Sequence, residues 1–362
     1  MTSFASTASA GLGRGSAQAS LLPAIRIWLV IIAAFVLAMV VVGGATRLTG
    51  SGLSITEWKP IMGALPPMSE TAWQDAFEKY KQIPQYDAVN KGFSLEAFKA
   101  IFWWEWSHRL LGRLVGFVFL LPFVYFLARR AIPRPFIGRV FALFVLGGAQ
   151  GGLGWFMVAS GLAGSDRIAV SQYRLAAHLA LATIIAAYAF WLALTIREER
   201  RDGEAASPEA STPVKLAAGL LGGLVYLQII AGAFVAGLKA GFASNTWPLM
   251  NGALVPAGMD QYSPLWLNLF ENPLTVQFVH RLAAYVIAAY AMVFALAVWR
   301  RPPLRGPALA IAGTTFLQIA LGVLTVVYDV PLGYALAHQG NAILVLAAAV
   351  WALQRALRPQ PD

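Results

Sequence analysis

The chain of 362 residues has no cysteine and little charge of either sign. The absence of cysteine excludes disulfide bridges, iron–sulfur clusters, thiolate-ligated haem and cysteine zinc sites. Charged residues make up 12% of the sequence, whereas hydrophobic residues make up 58%. This balance predicts an all-α polytopic membrane protein and excludes an ordinary soluble enzyme.

The net charge of +10 would also suit a protein that binds nucleic acid. The Lys and Arg residues, however, lie mainly in connections between apolar segments, where they determine the orientation of a membrane protein. We therefore expect a lipid bilayer around the chain and no nucleic acid as a partner.

Eight apolar stretches have close to the length of about 20 residues that a transmembrane helix requires. They lie at 25–46, 105–128, 137–159, 173–196, 214–238, 275–299, 306–328 and 333–355. The Ser-, Ala- and Gly-rich segment 1–24 is expected to be a disordered cytoplasmic tail, with a mitochondrial transit peptide as the alternative. The polar segment 197–213 is expected to be a cytoplasmic linker between an N-terminal half, 25–196, and a C-terminal half, 214–358.

Basic residues predict how the spans are oriented. The N-terminal tail and the connections after spans 2, 4, 6 and 8 are rich in Lys and Arg, while the connections after spans 3, 5 and 7 offer only Arg167, Arg174 and Lys239. By the positive-inside rule, both termini are cytoplasmic. The long connection 47–104 is then external, and its segment 69–82 is expected to form an amphipathic surface helix.

The two halves share short motifs in the same order. The segment 50–67 after span 1 resembles the segment 239–256 after span 5. The later matches are His108-Arg109-Leu110 with His280-Arg281-Leu282, Gln150…Gly154 with Gln318…Gly322, and Ala177-His178 with Ala337-His338. Four matches in order indicate duplication of a four-helix unit, and an even number of spans per unit requires parallel copies. The sequence therefore predicts two pseudo-symmetric four-helix bundles side by side.

Four histidines are present, and each falls near the external end of an even-numbered span. A histidine inside a span is costly in free energy and usually faces the interior of the bundle. Two imidazoles from facing helices suit axial ligation of haem iron, so we expect one site at His108 and His178 and another at His280 and His338. Zinc fits less well, because each half offers two histidines and at most one carboxylate. Histidines that only join helices or line a water-filled path are the structural alternative.

Other residues near the histidines have two interpretations each. Small residues beside the first pair suit either a flat macrocycle or close helix packing. They are Gly112, Gly116, Gly148, Gly151, Gly152 and Gly154. Arg109, Arg113 and Arg281 stand at the external mouth, where they suit either pairing with haem propionates or contact with lipid headgroups.

The halves differ three residues before the first histidine of each. Glu105 precedes His108, whereas Gln277 precedes His280. A spacing of three puts two side chains on one helical face, so Glu105 and His108 are expected to face the same object. A glutamine cannot accept a proton or stabilise a cation as a carboxylate does. This indicates a reacting site in the first half and an electron-carrying or structural haem in the second. A solvated glutamate at a helix N-terminus is the alternative.

The run GGATRLTGSGLSITEWKPIMGALPP at 43–67, the run EWSHRLLGR at 105–113 and the later His-Arg-Leu resemble heme A synthases. The resemblance covers essentially the whole chain after the N-terminal tail. It implies an oxidoreductase of cytochrome oxidase biogenesis that acts on a methyl group. Such an enzyme oxidises the C8 methyl group of heme O to the formyl group of heme A by successive hydroxylations, with water as the oxygen source and a separate electron acceptor.

Roles for individual residues follow from the resemblance. It assigns the substrate haem to His108 and His178 and a resident heme b cofactor to His280 and His338. The essential glutamate of the family matches Glu105. Some members carry a cysteine pair in the first external loop; this chain has none and resembles the subgroup without that pair.

Partners and location are also implied. A heme O synthase would supply the substrate, the electron acceptor is unidentified, and the oligomeric state is left open, a homo-oligomer included. The expected location is a bacterial inner membrane, with the haem sites near the external face. Without the resemblance, a di-haem b-type cytochrome for electron transfer and a transporter with histidine proton relays are competing functions. A carboxylate at one site only favours the enzyme over the cytochrome.

Overall fold

The computed structural model describes residues 5–162, 164–198 and 210–358, and this part of the chain is helical throughout apart from its connections. The α-helices are α1 Ala5–Leu48, α2 Glu70–Tyr80, α3 Leu95–Ala128, α4 Arg134–Val158, α5 Gln172–Glu198, α6 Thr212–Gly237, α7 Asn268–Glu271, α8 Pro273–Ala297, α9 Pro302–Val327 and α10 Leu332–Leu357. All of them except α2 and α7 are long and apolar enough to cross a membrane. The predicted all-α membrane fold with eight spans is confirmed.

The N-terminal segment differs from the prediction. Helix α1 begins at Ala5 and continues into the first span without a break, so the part of the expected disordered tail from Ala5 onward is helical. Extending an existing helix avoids the cost of nucleating a new one, and alanine favours the extension. Residues 1–4 lie outside the described residues. So does most of the expected linker 197–213, and the proposed division into domains stays a prediction.

Each half is a ring of four spanning helices. In the first half, α1 and α4 each pack on both α3 and α5; in the second, α6 and α9 each pack on both α8 and α10. The halves meet where α1 contacts α10 and where α5 contacts α6 and α10. These neighbours are the ones that a duplicated four-helix unit predicts. A two-fold relation between the halves stays a prediction.

The tightly packed apolar core fills mainly one end of each bundle. In the first half it comes from the middle of α1, the start of α4 and the ends of α3 and α5, with Leu29, Phe136, Phe123 and Ile196 among its members. In the second half it comes from the starts of α6 and α9 and the ends of α8 and α10. The four histidines lie at the opposite end, where each is half-buried. The fold therefore leaves them outside the main core.

The connection between α1 and α3 forms a smaller apolar cluster on the extended start of α3. The side chain of Ser69 caps α2. Trp73, Phe77 and Tyr80 share one face of that helix and pack around Phe98 of α3 and its neighbours. The predicted amphipathic surface helix is confirmed.

Candidate haem-binding sites

The second half brings its two predicted ligands face to face. The ring centres of His280 on α8 and His338 on α10 are 6.4 Å apart, and the ring planes meet at 75°. Two imidazoles that hold one metal ion from opposite sides, each nitrogen about 2 Å from the ion, have ring centres roughly 6 Å apart. Nδ1 of His338 also lies 3.1 Å from the backbone carbonyl oxygen of Gln318. A hydrogen bond from Nδ1 makes Nε2 the nitrogen that would ligate, although the Gln318 amide nitrogen lies 3.3 Å from it. The separation of the rings and this tautomer fit a haem iron between them.

The first half places its two histidines at the same end of the bundle. His108 of α3 and His178 of α5 are half-buried and close enough to interact electrostatically. No group of three or more His, Asp or Glu side chains gathers as a metal-ion site within the described ranges. The histidine pairs are therefore the candidates for holding iron.

Each histidine ring packs against a glycine of a neighbouring helix. The pairs are Gly43 with His108, Gly154 with His178, Gly232 with His280, and Gly322 with His338. A Cβ atom at any of these glycines would come within 2.9–3.2 Å of a ring atom. The glycines stand at corresponding places in the two halves. Only glycine lets the neighbouring backbone approach each ring this closely.

Several of the glycines predicted to border a macrocycle face open space. An added Cβ would meet no atom within 4 Å at Gly116, Gly148, Gly151 and Gly152. Gly116 follows His108 by eight residues, which puts it on roughly the same side of α3, and it is exposed. Gly112 faces Met39, and Gly154 packs on a histidine. These two glycines serve helix packing.

Glu105 is buried, and both of its carboxylate oxygens are hydrogen-bonded. Only 2% of its surface is exposed, so the alternative of a solvated glutamate is wrong. Oε2 accepts hydrogen bonds of 2.8 Å from the Ser54 hydroxyl and from the backbone N–H of Ile55. Oε1 accepts two from the Arg109 guanidinium, at 2.7 and 3.1 Å. Because these contacts run to the turn at Ser54 and Ile55 and to Arg109, the expectation that Glu105 and His108 face one object is not confirmed.

The three arginines predicted to bind propionates donate to backbone carbonyls of the turns around Trp58 and Trp247. The pairs are Arg109 with Ile55 and Glu57, Arg281 with Ser244 and Thr246, and Arg113 with Lys59 and Pro60, over 2.7–3.0 Å. Arg109 and Arg281 reach residues that stand three and one before Trp58 and Trp247, so both halves hold the same turn in the same way. Nη1 of Arg113 is buried and has no hydrogen-bond partner among the described residues. Of the three arginines, Arg113 thus keeps a buried donor for an anion.

Gln277 occupies the place of Glu105 in the second half but bonds in the opposite sense. Its Nε2 donates to the backbone carbonyl oxygens of Ser244, at 2.9 Å, and Gly241, at 3.3 Å. Its Oε1 is buried without a partner in the part of the chain that the structure describes. Within that part, Arg281 forms no ion pair with a carboxylate, whereas Arg109 pairs with Glu105.

Glutamines beside the histidines were not assigned a role by the sequence analysis. Nε2 of Gln150, Gln228 and Gln318 lies 3.1, 3.1 and 3.2 Å from Nδ1 of His178, His280 and His338, in that order. Each amide also donates to the backbone carbonyl of the same histidine, at 3.0, 2.8 and 2.9 Å. Each of these glutamines stands four residues before a glycine that packs on a histidine. That recurring spacing could have identified them.

The chain matches the Cytochrome oxidase assembly protein family over residues 26–350, a stretch that contains all four histidines. The chain belongs to this family. It is 50% identical over 337 residues to the heme A synthase of Parvibaculum lavamentivorans, covering 92% of this chain and 94% of the relative. It is 54% identical over 333 residues to that of Azorhizobium caulinodans, covering 90% and 92%. It is 50% identical over 336 residues to that of Bradyrhizobium diazoefficiens, covering 92% and 91%.

Membership of the Cytochrome oxidase assembly protein family confirms the resemblance found in the runs 43–67 and 105–113. It agrees with eight helices that can span a membrane. The haem that each histidine pair holds, the side of the membrane that the pairs face and the individual roles of Glu105 and the arginines remain predictions.

Proposed function

We propose that this chain is a heme A synthase, which oxidises the C8 methyl group of heme O to the formyl group of heme A by successive hydroxylations, with water as the oxygen source. The observation that carries the proposal is the arrangement of four histidines as one pair per half, at the end of the bundle away from the core. The 50–54% identity to proteins named heme A synthase supports the same activity.

The first half is the proposed substrate site, with heme O between His108 and His178. The open space along α3 beside Gly116 supports this assignment. Positive charge develops at a carbon from which electrons are removed, and a fixed negative charge stabilises it. Glu105 is held in place by Arg109 and by the external turn, so its charge is already oriented before reaction. Its filled hydrogen-bonding positions favour electrostatic stabilisation over proton transfer.

The second half is the proposed cofactor site, in which His280 and His338 hold heme b. The 6.4 Å separation of the two rings supports this assignment. Bound there, haem iron would supply reversible one-electron transfer. The two histidines bind and orient that group, and the neutral Gln277 adds no titratable side chain beside them.

Partners and location complete the proposal. Oxidation of the methyl group releases electrons, so a separate electron acceptor is required, and a heme O synthase would supply the substrate. The distribution of Lys and Arg supports a bacterial inner membrane protein with both termini cytoplasmic and the histidine end external.

Identification of the haems extracted from the purified protein, by chromatography and mass, tests the proposal. We expect heme b together with heme O or its hydroxylated or formyl derivative. Two molecules of heme b per chain, with no derivative of heme O, would identify an electron-transfer cytochrome instead. Protein without haem would contradict both functions and favour the transporter.

A further inference from the structure

The four histidines differ in what holds their rings, and the difference follows the division into halves. We propose that Gln150, Gln228 and Gln318 are positioning residues for three of the rings. We further propose that Met39 leaves the fourth ring, that of His108, without such a partner so that the haem in the first half can exchange. This inference rests on the proposed function, in which one site retains its haem and the other must release its product.

The glutamine contacts restrain the rings from the side. Gln228 spans the ring nitrogen and the backbone carbonyl of His280, so rotation of the ring breaks the contact. If iron were held through Nε2, Nδ1 would carry the hydrogen. An amide that turned over would meet this hydrogen with its oxygen and would give up its donation to the backbone carbonyl of the histidine. Oε1 of Gln150 and of Gln228 is buried and has no partner within the described residues. The bound state therefore gives these two oxygens the partner that they lack.

Unlike Gln150 and Gln228, Gln318 has a hydrogen-bond partner for its Oε1. The Asn341 amide donates to Oε1 of Gln318 at 2.8 Å and to the backbone carbonyl of Thr314 at 2.9 Å. The backbone carbonyl oxygen of Gln318 in turn accepts a hydrogen bond from Nδ1 of His338. Such outer hydrogen bonds fix the tautomer and orientation of a metal-binding histidine.

Met39 takes the position of Gln228 in the first half. It stands four residues before Gly43, as Gln228 stands four before Gly232, and both glycines pack on the first histidine of their half. The methyl group of Met39 lies 3.6 Å from the site of a Cβ on Gly112, one turn beyond His108. A thioether donates no hydrogen bond and accepts only weakly. Within the described part of the chain, the ring of His108 has packing contacts and no hydrogen bond.

This distribution matches what each site has to do. Removing the outer partner of a metal ligand typically costs about 10- to 100-fold in affinity. A cofactor site gains from two restrained ligands, whereas a substrate site has to release its haem once per turnover. A first half with one restrained ligand and one unrestrained ligand meets that requirement without losing either histidine.

The reciprocal variants Gln228→Met and Met39→Gln test the proposal. We expect Gln228→Met to speed the transfer of heme b from the purified holoprotein to an excess of a haem-free acceptor protein by about tenfold, and to shift the heme b absorption and reduction potential. Met39→Gln should slow the release of the first-half haem by about tenfold, with heme b unchanged. Gln339→Met is the matched control, because this glutamine adjoins His338 but donates to the backbone of Val40. It should leave both rates unchanged.

The outcomes separate this inference from the proposed function. Wild-type rates and an unchanged heme b potential in both exchanged variants would overturn the positioning role. A wild-type protein that contains no derivative of heme O would overturn the proposed function and not the glutamine contacts. If Gln228→Met does not accumulate as folded protein, the release rate of Met39→Gln decides, because that change adds an amide and removes no hydrogen bond.

Discussion

In both halves of the molecule an arginine holds the turn before a tryptophan, Trp58 or Trp247, but the side chain beside the arginine bonds in opposite senses. Arg109 and Arg281 donate to corresponding backbone carbonyls. Beside them, Glu105 accepts hydrogen bonds from its turn, and Gln277 donates to its own. The carboxylate and the amide thus support the same backbone shape with different charge. A duplicated membrane fold can give its two halves different functions by a change of one side chain, with the backbone unchanged.

The exchange changes the charge at the mouth of each half. Arg109 is neutralised by the buried Glu105 at 2.7 Å. Arg281 has no carboxylate partner among the described residues and leaves its half with a positive charge near the histidines. Unscreened charge acts strongly in a medium of low dielectric constant. Arg113 leaves the first half an arginine without a carboxylate partner among the described residues as well. What distinguishes the first half is the buried carboxylate of Glu105, which suits a site at which positive charge forms transiently.

The largest expected effects come from removing histidines, one half at a time. His280→Ala should abolish heme b binding and with it heme A formation, because the iron loses a ligand and the electrons lose their path. His108→Ala should abolish conversion of heme O while heme b stays bound. Haem content and absorption spectra of the two purified variants measure this. Loss of heme b from His108→Ala, in folded protein, would contradict separate sites.

Glu105→Gln makes the first half a copy of the second and should have the next largest effect. We expect heme A formation to fall by about 100-fold or more, since a fixed charge that stabilises the transition state is lost. Breaking the buried ion pair with Arg109 should also lower the free energy of unfolding by about 3 kcal/mol. Turnover per molecule of bound heme b separates the two effects. Full turnover in this variant would end the proposed role.

The reciprocal exchange Gln277→Glu is the control for that experiment. A carboxylate at this position loses the donation to Ser244 and gains a place beside Arg281. It should leave the first-half haem in place and should not make the second half convert heme O. Conversion at both sites would show that one carboxylate is sufficient for the reaction.

A glycine exchange has a smaller expected effect and compares packed with open positions. Gly232→Ala places a methyl group 3.2 Å from the ring of His280. Displacing the ring should weaken retention of heme b and cost about 1–3 kcal/mol of stability. Gly222→Ala, on the same helix α6, is the matched control, because nothing lies within 4 Å of the added atom. Thermal unfolding and haem content follow both variants, and equal effects would show that the ring contact is unimportant.

The sequence was sufficient to predict the spans and the approach of His280 to His338, and it shows the difference between Glu105 and Gln277 directly. Hydrophobic length and repeated motifs report on these features directly. It did not predict that Arg109 and Arg113 turn to backbone carbonyls, because a carbonyl acceptor is present at every residue and leaves no signal. The spacing of residues along one helix also shows which of them share a face, but not which helix packs on that face. The contact between Gln228 and a histidine on another helix therefore needed the structure.

The turns before Trp58 and Trp247 differ in exposed charge as well. In the first half, Glu57 accepts hydrogen bonds from Lys59 at 3.0 Å and from Lys79 at 3.1 Å. In the second half the corresponding residue is Thr246, which bonds to backbone groups at Leu249 and Asn251. The hydrogen bond from Lys59, supported by Lys79, lowers the pKa of Glu57 below its ordinary value of 4.5.

The smallest expected effect is that of Glu57→Gln. A carboxyl group whose pKa is lowered on folding stabilises the folded state above its unfolded pKa, and this contribution disappears as the pH falls below 4.5 and through the folded pKa. Because 43% of the side chain is exposed, the loss at neutral pH should stay below about 1 kcal/mol and shrink in high salt. Thermal unfolding at neutral pH and at a pH below the folded pKa, each at two salt concentrations, measures this loss. Thr246→Val, which removes hydrogen bonds and no charge, should cost the same at either salt concentration; a salt-dependent cost there, or none for Glu57→Gln, would show that the turns do not differ in this way.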